Sequence, residues 1–316
     1  MRVVRHLARL SRPLDRAVLT LGNFDGVHLG HQAILRSAVE RARAEGGQAV
    51  VLTFEPHPLA VVAPQRAPAV IQPLHDRLAM LRELGIDVTV LQRFTRRFAA
   101  LDPEAFVREF LLRHLALRHV VVGDNVNFGR DRAGSAETLR QLGARLGFGV
   151  EVVGPVTVGA EQVSSTALRA LLERGEVGEA RHFLGRAYSL RGRVVVGDRR
   201  GRTLGFPTAN LHLRRKLLLP ADGVYAVTAE SGGRRHAGVM NIGVRPTFAG
   251  RRRTVEVHLL DFTGDLYRHW LVVRVIERLR GEAAFAGPEA LRAAIAADVA
   301  RARRVLAGDA SLTQGG

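Results

Sequence analysis

Short apolar runs alternate with stretches of helical period along the first half of the chain. The apolar runs predict buried strands at residues 17–21, 49–54, 88–91, 119–123 and 150–153. The intervening segments predict helices at residues 32–45, 74–84, 103–115 and 135–146. Strands separated by helices of this length pair in parallel. The pattern therefore predicts a doubly wound α/β domain, with a parallel sheet covered by helices on both faces.

The pattern changes after a short predicted helix at residues 176–185. Strand patterns then follow one another with glycine-containing turns, at residues 188–196, 223–229, 237–242, 254–262 and 270–279. Such a series predicts a small antiparallel β-barrel, and the amphipathic segment 288–306 predicts one closing helix. We therefore expect two domains, residues 1–185 and 186–316.

Composition agrees with two packed domains, because the chain has 316 residues and is 47% hydrophobic. It contains no cysteine, which excludes disulfides, thiolate metal sites and a cysteine nucleophile. No run of eighteen apolar residues occurs, and residues 1–16 mix arginines with leucines. We expect a soluble cytoplasmic protein without membrane contact.

The net charge of +17 raises the alternative of a nucleic-acid-binding protein. Arginine is spread along the whole chain, however, and aromatic residues make up only 5%. The basic runs at residues 199–200, 214–215 and 251–253 are not interleaved with aromatics. We expect polyanionic small molecules, not nucleic acid, to be the main partners.

One strand-to-helix turn carries the strongest chemical signal, the sequence G-N-F-D-G-V-H-L-G-H at residues 22–31. Glycines such as Gly30 let the backbone approach a ligand, and a helix start attracts phosphate. His28 and His31 lie one helical turn apart, so both imidazoles can point at one spot. Asn23 and Asp25 are expected to add an amide and a carboxylate at the loop mouth. The bland alternative is a glycine-rich turn with two solvated histidines.

Three further segments of this half are candidates for the same sheet edge. The segment T-F-E-P-H-P at residues 53–58 ends a strand and places His57 at the carboxyl edge of the sheet. At most, we expect His57 to line the substrate site. The polar loop 122–134 contains Asn125 and could form hydrogen bonds with a base, a ribose or a phosphate. Its composition is equally typical of an ordinary polar loop. V-S-S-T-A-L-R at residues 163–169 opens a helix. Either Ser164 or Ser165 only caps this helix, or the hydroxyls and free N–H groups at its start form a second anion site with Arg169.

The second half has its own candidate site in G-R-T-L-G-F-P-T-A-N, residues 201–210. Its glycines permit close approach to phosphates, and Thr208 and Asn210 offer two neutral oxygens for a cation such as Mg²⁺. The segment lacks the G-K-[ST] of a Walker loop, and a plain hairpin turn stays open.

A carboxylate follows on the strand pattern at residues 254–262. Glu256 shares the polar face of this strand with Thr254 and His258 and is either a surface residue or a general base for a hydroxyl group. Asp222 and Asp261 compete for the role of base. The first precedes a glycine turn, and the second is expected to face the apolar side of its strand.

In order and spacing, these motifs resemble bacterial bifunctional riboflavin kinase and FAD synthetase. The H-x-G-H turn is similar to that of the nucleotidyltransferase superfamily. The resemblance implies that the first half joins AMP from ATP to FMN, with His28 and His31 at the transferring phosphate. It places ATP on a set of residues comprising Asn23, Asp25, Gly30, Asn125, Ser165, Thr166 and Arg169.

For the second half, the resemblance implies a riboflavin kinase. Glu256 would then activate the 5′-hydroxyl of riboflavin, and Thr208 and Asn210 would bind the metal. The kinase ATP site would comprise Gly201, Arg202, Gly205, Thr208 and Asn210. The whole chain would make FMN and then FAD, with ATP and Mg²⁺ at each site.

Two positions depart from the family pattern. Gln162 stands where the family usually has arginine, and a neutral amide does not replace a guanidinium on phosphate. Arg268 stands where the family usually has glycine. The alternatives are thus a riboflavin kinase with a weakened adenylyltransferase half and, less favoured, an arginine-rich nucleic-acid-binding protein. The sequence leaves open whether the protein forms oligomers.

Overall fold

The computed structural model describes residues 1–10, 13–197, 200–213, 216–247 and 250–308. The chain forms two compact units, Met1–Ser165 and Thr166–Gly316. Of the basic runs noted above, Arg199, Arg214 and Arg215 lie outside the described residues.

The first unit is built on a parallel sheet of six strands, in the order β1-β4-β3-β2-β5-β6. The strands are β1 (Arg2–Arg5), β2 (Leu14–Leu21), β3 (Gln48–Glu55), β4 (Val88–Arg93), β5 (Leu115–Gly123) and β6 (Gly149–Val153). The helices are α1 (Leu29–Ala44), α2 (Pro58–Val62), α3 (Leu74–Glu83), α4 (Arg96–Ala99), α5 (Pro103–Ala105, continued as a π-helix over Phe106–Leu112) and α6 (Ala136–Leu146). A two-stranded ribbon of β7 (Thr157–Val158) and β8 (Glu161–Gln162) follows. The predicted parallel sheet is confirmed.

The sheet is buried on both faces. Alternate residues of β2 point to opposite sides, so that Leu19 joins one apolar cluster and Val18 the other. Leu35 of α1 packs on the Val18 side, whereas Leu139 of α6 packs on the Leu19 side. This arrangement explains why the strands read as continuous apolar runs without alternation.

The strand order creates a crevice beside β2. From β2 the chain moves to β3 and β4 on one side, and then returns to β5 and β6 on the other. Ligands of such sheets bind at the carboxyl ends of the strands where the order reverses, here β2 and β5. The loops that follow these two strands contain His28 and Asn125.

The second unit begins with α7 (Ser165–Arg174) and α8 (Val177–Leu184) and continues into a closed barrel. The strand order is β10-β13-β12-β11-β14-β9, with antiparallel neighbours. The strands are β9 (Tyr188–Val195), β10 (Ala209–Leu213), β11 (Gly223–Ser231), β12 (Arg234–Thr247), β13 (Gly250–Leu259) and β14 (Trp270–Arg280). The helices are α9 (Arg200–Thr203) and α10 (Pro288–Leu306).

Helix α10 closes the barrel, as the sequence predicts. Ala302 and Leu306 pack against Val224 and Ala226 of β11. The Arg280 guanidinium donates to both carboxylate oxygens of the nearly buried Asp298, at 2.8–3.1 Å. An apolar contact and a bidentate ion pair together fix the helix on the sheet.

Several elements differ from the sequence prediction. Helix α1 begins at Leu29 instead of residue 32. The edge strand β1, the ribbon β7–β8, the short strand β10 and the short helices α2, α4 and α9 were not predicted. Strand β13 ends at Leu259, so the expectation that Asp261 faces the apolar side of a strand is wrong. Asp261 lies in a turn with φ of 54° and pairs with Arg303 of α10.

Within the part of the chain that the structure describes, no helix is long and apolar enough to cross a membrane.

Candidate active sites

The turn after β2 brings His28 and His31 together. His28 caps α1, where its Nδ1 accepts a hydrogen bond from the backbone N–H of His31 at 3.2 Å. This bond places the proton of the neutral imidazole on Nε2. The two rings stack with centroids 3.6 Å apart and planes inclined by 17°. The predicted convergence of the two imidazoles is confirmed.

Gly30 gives the His28 ring its space. A Cβ atom at position 30 would lie 3.3 Å from two ring atoms of His28 and 3.4 Å from the Val163 carbonyl oxygen. A larger residue would therefore have to displace either the ring or the backbone beside it.

Asp25 is buried below the loop, with 3% of its surface exposed. Its carboxylate oxygens accept hydrogen bonds from the backbone N–H groups of Ile71 and Gln72 at 3.0–3.1 Å. The expectation that this carboxylate opens onto the loop mouth is wrong, because the 71–72 segment covers it. The backbone carbonyl of Asp25 also accepts a bond from the Ser165 hydroxyl at 3.3 Å, which brings the V-S-S-T segment to the histidine turn.

The loop after β3 meets the same turn. The side-chain amide of Asn23 lies 3.1 Å from Nε2 of His57. Nδ1 of His57 accepts the backbone N–H of Leu59, at the start of α2. The predicted approach of His57 to the edge that carries His28 is therefore confirmed in its position.

The remaining predicted residues of this site are placed as follows. Asn125 is exposed in the loop after β5, where its carbonyl accepts a bond from the Asn127 amide at 2.8 Å. Thr166 and Arg169 lie in the first turns of α7 and belong to the second unit. The part that each of them plays in binding ATP stays a prediction.

In the barrel, Glu256 lies beside the P-T-A-N segment. Thr208 Oγ1 donates to Glu256 Oε2 at 3.1 Å, and Asn210 stands opposite Glu256 in the β10–β13 pairing. Nδ1 of His258 donates to the Pro207 carbonyl at 2.8 Å, which ties the same segment to β13 a second time. Residues that the sequence places about fifty positions apart thus form one cluster.

Sequence reasoning missed a further polar residue beside Glu256. Asn241 of β12 stands opposite Glu256 on the side away from Asn210. Residues in register on neighbouring strands share a face of the sheet, so an amide flanks the glutamate on each side. The signal available in the sequence was the polar asparagine that opens N-I-G, next to the buried Ile242.

Two glycines make room for the P-T-A-N segment. A Cβ atom at Gly197 would overlap the side-chain amide of Asn210, and one at Gly201 would overlap the Phe206 carbonyl oxygen. Gly205 has a φ of 85° and turns the chain, while Arg202 is exposed on α9. Gly201 was predicted to let the backbone approach a phosphate. In the structure it lies close to the Phe206 carbonyl of its own loop, and the approach to phosphate stays a prediction.

The two competing carboxylates are engaged elsewhere. Asp222 accepts a bond from Nε of Arg253 at 2.7 Å. The Arg303 guanidinium donates to Asp261 and holds the pKa of that carboxyl below its usual range. Glu256 is the carboxylate of the three that lies beside the P-T-A-N segment.

The donor set of the cluster suits a hard cation. Thr208, Asn210 and Glu256 present oxygen atoms, and Mg²⁺ is commonly held by one or two protein oxygens together with substrate phosphates. Among the described residues there is no group of three or more histidine, cysteine, aspartate or glutamate side chains that would hold a metal ion on its own.

The folds and sites define a transferase of two catalytic domains. Residues 11–167 match the family model for FAD synthetase, and residues 184–306 match that for riboflavin kinase. The chain belongs to the bifunctional riboflavin kinase/FMN adenylyltransferase family.

Curated members of this family are similar over nearly their whole length. The protein of Escherichia coli K12 is 42% identical over 305 residues, which cover 96% of this chain and 97% of that protein. The protein of Pseudomonas fluorescens is 43% identical, with 97% and 98% covered. That of Bacillus subtilis is 36% identical, with 92% of each covered.

A solved structure from Streptococcus pneumoniae, described as a macrolide-efflux protein, has the same fold. It is 31% identical, with a TM-score of 0.88, and the match covers 96% of this chain and 99% of that one.

Proposed function

We propose that this chain phosphorylates riboflavin to FMN and then adenylylates FMN to FAD, using one ATP in each step. The observation that carries the proposal is that one chain matches both family models, while each unit assembles its own cluster of reactive side chains.

In the kinase step, the Glu256 carboxylate accepts the proton of the riboflavin 5′-hydroxyl. The hydroxyl oxygen then bonds to the γ-phosphorus of ATP as the bond to the ADP oxygen breaks. Thr208 and Asn210 would hold Mg²⁺, which neutralises phosphate charge when bound. Gly201, Arg202 and Gly205 lie on the segment proposed to cradle the phosphates.

In the adenylyltransferase step, a phosphate oxygen of FMN bonds to the α-phosphorus of ATP, and the bond to pyrophosphate breaks. No protein nucleophile is needed, so the protein's part is to position the reactants and stabilise charge. His28 and His31 serve at the transferring phosphate. The nucleotide is held by Asn23, Gly30, Asn125, Ser165, Thr166 and Arg169, and the buried Asp25 holds the loop.

A second candidate is a riboflavin kinase whose adenylyltransferase half is weak. It is favoured by Gln162, an exposed neutral residue of β8 at the approach to Ser165. We place both candidates in the cytoplasm, with flavins and ATP as partners in preference to nucleic acid.

The test is a single incubation of the purified full-length protein with riboflavin, ATP and MgCl₂, followed by chromatographic separation of the flavins. The bifunctional proposal predicts FMN first and FAD afterwards. FMN without FAD supports the kinase-only candidate. No flavin product at all, under conditions where a known family member is active, contradicts both.

A further inference from the structure

The turn that carries His28 is held in a strained backbone conformation. Phe24 has a φ of 50° and Val27 a φ of 39°, both in the left-handed region. Val27 is β-branched and fully buried, and such residues rarely adopt this conformation. A strained segment of this kind persists only where the surrounding structure holds it in place.

Two donors from beneath the loop hold its first residue. The backbone carbonyl of Asn23 accepts a bond from Arg77 Nη1 at 2.6 Å and another from Thr53 Oγ1 at 3.2 Å. The Arg77 side chain is only 7% exposed, and its Nη2 lies 3.8 Å from Glu55 Oε2. The guanidinium thus spans from the histidine turn to the end of β3.

The same segment of chain also holds the next part of the loop. Arg77 lies on α3, and the residues just before this helix, Ile71 and Gln72, donate to the buried Asp25 carboxylate. Apart from Thr53, the donors that hold the loop therefore come from the stretch between 71 and 77.

We propose that Arg77 is a positioning residue of the adenylyltransferase, which fixes the histidine turn through the Asn23 carbonyl. This inference rests on the proposed function. Burying a guanidinium is costly, and an apolar residue of similar volume packs as well where only packing is required. The planar fork of arginine reaches the Asn23 carbonyl and faces Glu55 at once, which the single ammonium of lysine does not do.

A displaced turn would weaken stabilisation of the transition state more than it weakens substrate binding, because His28 and His31 act on the transferring phosphate. We therefore expect Arg77→Met to lower kcat for FMN adenylylation at least ~10-fold. The KM values for FMN and ATP should stay within about twofold of the wild type. Arg77→Lys, which keeps the charge and one donor, should recover part of kcat.

The molecule offers two controls and one independent variant. Riboflavin phosphorylation by the same preparation reports whether the second unit is folded, and far-UV circular dichroism with a thermal melt of each variant reports whether the first unit is folded too. Arg82→Met changes an exposed arginine on the same helix and should leave both steps unchanged. Thr53→Val removes the second donor to the Asn23 carbonyl. Because both residues bind the same carbonyl, the loss of kcat in the Thr53/Arg77 double variant should differ from the product of the two single losses.

The measurements are steady-state kinetics of both steps for the four single variants and the Thr53/Arg77 double variant. A normal kcat in Arg77→Met, or an equal loss of both activities in Arg77→Met and Arg77→Lys, overturns the inference. A rise in KM alone also overturns it, since it would make Arg77 a binding residue. A wild-type enzyme that forms no FAD overturns the proposed adenylyltransferase, and this inference with it.

Discussion

Thr208 Oγ1 and Glu256 Oε2 are joined by a hydrogen bond of 3.1 Å across 48 residues of sequence. Because the hydroxyl donates its proton to the carboxylate, the lone pairs of Thr208 Oγ1 are directed away from Glu256. One bond therefore orients the proposed metal ligand and the proposed base together.

The histidine pair gives a direct prediction for the first unit. His28→Ala and His31→Ala should each slow FAD formation from FMN by at least ~100-fold, as expected for groups that stabilise transition-state charge. FMN formation from riboflavin should barely change. The two steps are assayed separately, and an equal loss of both would show that the substitution damages folding instead.

Gln162→Arg tests the position that departs from the family pattern. A guanidinium on β8 should bind phosphate in a bidentate manner and lower the KM for ATP in the adenylylation step. Gln162→Lys adds the charge without the planar fork and should help less. If the KM for ATP stays the same or rises in the arginine variant, then another arginine already serves this role.

Gly197→Ala tests the packing behind Asn210. The added Cβ atom would overlap the Asn210 amide, while the backbone of Gly197 lies outside the left-handed region and accepts alanine. We expect kcat/KM of the kinase to fall at least ~10-fold through displacement of Asn210. Gly178→Ala, where nothing lies within 4 Å of the new atom, is the matched control. Normal kinase activity in Gly197→Ala would mean that Asn210 does not need its observed position.

The backbone conformation at Arg268 accounts for the glycine that the family usually has at this position. It is exposed and has a φ of 68°, a conformation that glycine adopts without strain. Arg268→Gly should therefore stabilise the barrel by about 1 kcal/mol relative to Arg268→Ala, which keeps a Cβ atom. Urea unfolding measures the difference. A lower midpoint for the glycine variant than for the alanine variant would refute this explanation.

Much of the fold follows from local pattern. The parallel sheet, the barrel strands and helix α10 all bury regular apolar positions, and periodicity detects these directly. Strand β10 was missed because it is short and begins inside the P-T-A-N segment. The end of strand β13 was predicted too late, so that Asp261 was placed in the strand. The turn at Asp261 contains no glycine, and the alternating pattern continues through it.

The sites were predictable only in part, for a related reason. Motif spacing located the histidine turn and the P-T-A-N segment, which are local. The burial of Asp25, the reach of Arg77 to the Asn23 carbonyl and the register of Asn241 all depend on pairings between distant segments. No pattern near these residues in the sequence carries that information.

We propose that Glu256 is the base of riboflavin phosphorylation and takes no part in the adenylylation of FMN. Glu256→Gln keeps the shape of the side chain but removes the proton acceptor, and positioned bases contribute ~10²–10⁴-fold.

The decisive measurement gives this variant riboflavin in one reaction and FMN in another, each with ATP and MgCl₂, and follows the flavins by chromatography. We expect riboflavin to stay almost unconverted at times when the wild type has formed FMN, while FMN is converted to FAD at the wild-type rate. Near-normal FMN formation by Glu256→Gln would contradict the account, as would loss of both reactions together.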